Sequence, residues 1–76
     1  MKAISDLERS ISALEIPALG HSTISDHAAV HVLNSNTLAI VVLCGHNAHI
    51  IEDAIRVQDY ATTDISTDHD IITLAI

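Results

Sequence analysis

The densest group of reactive side chains in the 76-residue chain is Cys44-Gly45-His46-Asn47-Ala48-His49, which sets a thiol beside imidazoles. Where a strand turns into a helix, the partial positive charge of the helix N-terminus favours a thiolate, and a neighbouring imidazole can accept the proton. His46 or His49 would be that base. A cysteine nucleophile also needs an oriented base and an enclosing pocket, and so short a chain has little volume to enclose one. Packing accounts for the same residues: Cys44 ends a buried strand as a small hydrophobe, Gly45 turns the chain, and the imidazoles cap or face solvent. The expectation is binding rather than catalysis, with no catalytic residue and no cofactor.

The chain has six histidines, His21, His27, His31, His46, His49 and His69, and imidazole is the commonest transition-metal ligand. In a strand, His27 and His31 are about 13 Å apart at roughly 3.3 Å per residue and cannot hold one ion. Cys44, His46 and His49 are better spaced, with Asp68-His69-Asp70 able to add to them, but the set matches neither a CxxC nor an HExxH pattern. Divalent-metal binding or sensing through Cys44, His46 and His49 is therefore the alternative function.

Charge narrows the field further. Three Lys/Arg stand against ten Asp/Glu, a formal charge of −7, which removes the cationic surface that direct contact with a phosphate backbone requires. Residues 1–38 carry a net −2 and residues 39–76 a net −5, so the negative field is concentrated in the C-terminal half. Such a field can steer a basic protein partner. The carboxylates expected to meet it are Glu52, Asp53, Asp59, Asp64, Asp68 and Asp70.

These groups must be positioned by a small scaffold. Ile4, Leu7, Ile11 and Leu14 recur on one helical face, with Ser5 and Glu8 at capping-box spacing, which predicts a helix over 4–15 that Pro17 and Gly20 stop. Residues 21–26 read as a polar connector. Ala28–Leu33 and Thr37–Cys44 are β-compatible runs joined by Asn34-Ser35-Asn36, a hairpin signal. Leu38 to Leu43 is apolar at every position, as in a strand covered on both sides. Residues 47–57 predict a helix capped by Asn47, although Ile51, Asp53, Ile55 and Val57 also alternate as a strand would. Residues 58–70 read as an acidic loop, long enough to hide an edge strand near 60–66, and residues 71–76 close the chain as a strand.

The expected fold is α+β, a single small domain over 1–76 in the order α-β-β-α-β. A small, single-layer antiparallel-type sheet of three to four strands would pack with two helices. Twelve Ile, ten Ala and one aromatic, Tyr60, leave its core without large rings. One thin helical layer over a strand apolar on both sides predicts a homo-oligomer, most simply a dimer. Met1-Lys2 leads into Asp6 and Glu8 rather than into the apolar core of a signal peptide, and the longest apolar run, Leu38–Cys44, is too short to span a bilayer. With a lone cysteine, Cys44, the expectation is a cytoplasmic protein without a membrane association. The function expected is an acidic protein–protein interaction module. Its type would be an inhibitor that masks a basic, nucleic-acid-binding surface, as anti-CRISPR, anti-restriction, antitoxin and immunity proteins do.

Overall fold

A computed structural model describes residues 4–58 and 64–75. Helix α1 (Ile4–Ser12) buries Leu7 and Ile11. It stops three residues short of the expected end, and Pro17 disfavours helical geometry in the residue before it. Ile16 is accordingly extended, at φ −118° and ψ 101°. The chain there forms a two-residue strand, β1 (Glu15–Ile16), paired antiparallel with β2 (Ser22–Thr23). Between them runs a 3-10 turn, Pro17–Leu19, ended by the left-handed Gly20. The expected polar connector, 21–26, thus contains one strand of a small ribbon, β2, and a second 3-10 turn, Ile24–Asp26. Thr23 and Asp26 cap that turn reciprocally, and Ile16 and Ile24 anchor both turns in the core.

The hairpin follows as expected, β3 (Ala28–Asn34) and β4 (Thr37–Val42). Its loop is closed by Asn36 N–H donating to Asn34 Oδ1 at 2.8 Å, the local side-chain bond that makes Asn a turn residue. The segment open to two readings is helical, α2 (Ala48–Val57), with Ala48, Ile51 and Ile55 buried. Asn47 does not cap it: a 3-10 turn over Gly45–Asn47 leads in, and Asn47 makes no side-chain capping bond. The fourth strand is present as β5 (Asp64–Asp68), before β6 (Ile71–Ala75).

The main sheet is antiparallel in the order β3-β4-β6-β5. Its last strand in sequence therefore lies inside the sheet, and β3 and β5 form the two edges. Leu38, Ile40, Val42, Ile72 and Leu74 face the helices and form the core with Leu7, Ile11, Ile51 and Ile55. Helix α1 lies over β3 and β4, and α2 over β5 and β6. Strand alternation turns Ala39, Val41, Ile71 and Thr73 to the other face, which no helix covers among the described residues. The expectation that β4 is buried through Leu43 fails on this point: Leu43 is 76% exposed. It follows Val42 on the uncovered side, so its apolar character reflects no core position.

Candidate functional site

Strand β5 distributes its side chains by simple alternation. Ile65 packs on the core and Thr67 reaches α2, so Asp64, Ser66 and Asp68 project to the uncovered face of the sheet. The two carboxylates stand about 13 Å apart along the edge. A two-residue loop, His69-Asp70, returns the chain to β6, and its first position is left-handed at φ 56°. Asp70 is exposed there while its carbonyl accepts Val42 N–H at 2.7 Å. His69 Nε2 lies 3.6 Å from Asp68 Oδ1 with both side chains almost fully exposed, an arrangement that contributes little to stability. Asp64 and Asp68 thus mark the two ends of the β5 edge, and Asp70 lies in the adjoining loop beside the end of β4.

The remaining carboxylates expected at this surface are placed differently. Glu52 is tied to the surface of the fold: Oε2 accepts Arg56 Nε at 2.8 Å and Oε1 accepts the Thr67 hydroxyl. The Thr67 hydrogen bond, then that of Arg56, lowers its pKa from the ordinary carboxylate value. Arg56 also donates through Nη2 to the Ile65 carbonyl at 3.1 Å. The result is a clip between α2 and β5 that the sequence reading did not include. The spacing of Glu52 and Arg56, four residues apart with the acid first, was the available signal. Asp53 is exposed on the outer side of α2, beside a shallow groove lined by Ile16, Pro17, Ile50 and Val57. Asp59 lies outside the described residues.

The histidines and the cysteine are also located. Cys44 is exposed, and His46 and His49 are exposed around the entry to α2. The β5–β6 loop approaches this corner, since the Asp70 carbonyl accepts Val42 N–H at the end of β4. No three His, Cys, Asp or Glu side chains converge on a common point among the described residues. His27 is engaged locally: its Nε2 lies 2.8 Å from Ser22 Oγ. His31 lies in β3 opposite Ala39, exposed on the uncovered face. No described helix is long and apolar enough to cross a membrane.

Compared with known proteins, the chain matches no family model and no curated sequence.

Proposed function

We propose that this protein is a small acidic protein–protein interaction module, an inhibitor that covers a basic, nucleic-acid-binding surface of a cytoplasmic partner. Anti-CRISPR, anti-restriction, antitoxin and immunity proteins are the classes that work in this way. The observation that carries the reading is the β5 edge with its loop. Asp64, Asp68 and Asp70 are exposed there, and the nearest described base, Arg56, is already committed to Glu52 and the Ile65 carbonyl. Carboxylates presented on a rigid strand occupy the positions that phosphates would take against lysine and arginine side chains, and a preformed array loses little entropy on docking. Binding, not turnover, is the activity.

The test replaces Asp64, Asp68 and Asp70 by Asn together and measures binding to the partner recovered by pull-down, by surface plasmon resonance at about 0.15 M and 1 M salt. Association should slow roughly tenfold at the lower salt, where steering operates. Melting should change by less than about 1 kcal/mol, because exposed charges contribute little to folding. Association as fast as wild type at both salt concentrations overturns the proposal.

A further inference from the structure

The opposite edge of the sheet offers a second surface with different chemistry. Leu43 N–H donates to the His27 carbonyl at 2.9 Å, which begins the β3–β4 ladder with an inward-bonded residue on the β3 side. Antiparallel alternation then turns the backbone groups of Ala29 and His31 toward β4 and those of Ala28, Val30 and Val32 outward. No strand lies beyond β3 among the described residues. β3 is the longest strand of the sheet and contains no Lys, Arg, Asp, Glu or Pro, the residues that blunt natural edges. A register shift falls between Val32 and Asn34, which leaves Ala28–Val32 regular. At the end of that stretch Val32 is 41% and Leu33 60% exposed.

We propose that β3 pairs antiparallel with β3 of a second copy of this chain, about a two-fold axis at Val30, joining two four-stranded sheets into one of eight strands. In this register Val30 faces its own symmetry mate and Ala28 faces Val32 of the other copy, so every outward group of the regular stretch is bonded. Charge selects the edge at which two copies can meet. Each copy carries −7, and pairing at β3 leaves the two β5 strands at the far ends, about 34 Å apart at roughly 4.8 Å per strand. That distance exceeds the Debye length of about 8 Å several times over. Pairing at β5 about Ser66 would instead set Asp64 directly against Asp68 of the second copy, a like-charge pair. The proposal is independent of the acidic edge's partner.

The test uses the full chain. Sedimentation from about 5 to 500 μM, a range that brackets the micromolar affinity of a small interface, should show the mass rising to twice 8.1 kDa. Hydrogen exchange by NMR at both extremes then locates the contact. The amides of Ala28, Val30 and Val32 should exchange at least tenfold more slowly at the high concentration, while those of Ala29 and His31 hold their rates. Val32→Lys, at a half-exposed site, should stay monomeric and folded, and Asp68→Asn should still dimerise. A monomeric mass throughout overturns the proposal. So does a dimer whose three outward amides remain unprotected, and that result from wild type stands even if Val32→Lys fails to fold.

Discussion

β3 and β5 both end the sheet, yet they are finished in opposite ways. β5 carries Asp64 and Asp68 on its uncovered side and is strapped to α2 through Glu52, Arg56 and Thr67. β3 presents alanine, valine, leucine and one histidine, with no comparable charge. An edge strand is a template for another strand unless charge, proline or a bulge opposes it. One edge is thus protected from self-pairing by the same carboxylates that suit it to a basic partner. The other is available to a second copy. One small sheet can separate two binding chemistries by giving each its own edge.

The largest expected effect lies between the edges, in the strand both depend on. Ile40 is fully buried in β4, and Ile40→Asp should abolish cooperative melting. An unpaired buried charge costs several kcal/mol against a typical total stability of about 5–15 kcal/mol. Circular dichroism during heating checks this, and a folded variant would mean that β4 does not hold the two edges together.

Removing the asymmetry itself comes next. Asp64→Thr with Asp68→Thr makes β5 as uncharged as β3, so charge would oppose pairing at neither edge and molecules could propagate into chains of sheets. Light scattering at about 100 μM should register species larger than a dimer, well within the range of weak interfaces. An unchanged mass would show that charge is not what protects β5.

A smaller effect concerns the strap. Glu52→Gln should destabilise the fold by about 1 kcal/mol at pH 7, the typical net contribution of such hydrogen bonds and exposed ion pairs. The pKa of Glu52 is lowered in the folded protein from 4.5, so its stabilisation is fully present above 4.5. It is lost as pH falls through the lower folded value. Urea titrations of wild type and variant should therefore differ at pH 7 and converge as the pH falls below 4.5 and through the lower folded value. A gap that stays the same size in acid would rule out the carboxylate as its source. The smallest effect belongs to Leu43→Asp, which should change stability by less than about 0.5 kcal/mol because Leu43 is exposed. Loss of folding would show that the uncovered face contributes to the core.

Much of the scaffold was legible because its signals are local. Ile4, Leu7 and Ile11 at helical spacing define α1, two β-compatible runs about Asn34-Ser35-Asn36 define the hairpin, and the long acidic stretch after α2 does contain an edge strand. The site was legible only in part. Asp64 and Asp68 do share the β5 edge, with Asp70 in the adjoining loop, whereas Glu52 is drawn into the α2–β5 clip and Asp53 faces the other side of α2. Carboxylates look alike in sequence, and only the phase of the element that carries each one decides where it points.

The sequence by itself determined the negative charge, its concentration in the C-terminal half, the aliphatic core and the α+β class. Only the tertiary structure decided that β6 inserts between β4 and β5, since pairing between strands more than 30 residues apart leaves no local periodicity to read. Tertiary structure alone also decided which face of β4 is covered. Leu38 to Leu43 is apolar on both faces, and the selection came from where α1 and α2 could bury their own stripes, Leu7 with Ile11 and Ile51 with Ile55. Burial is a property of two surfaces meeting, and a strand's own residues specify only one of them.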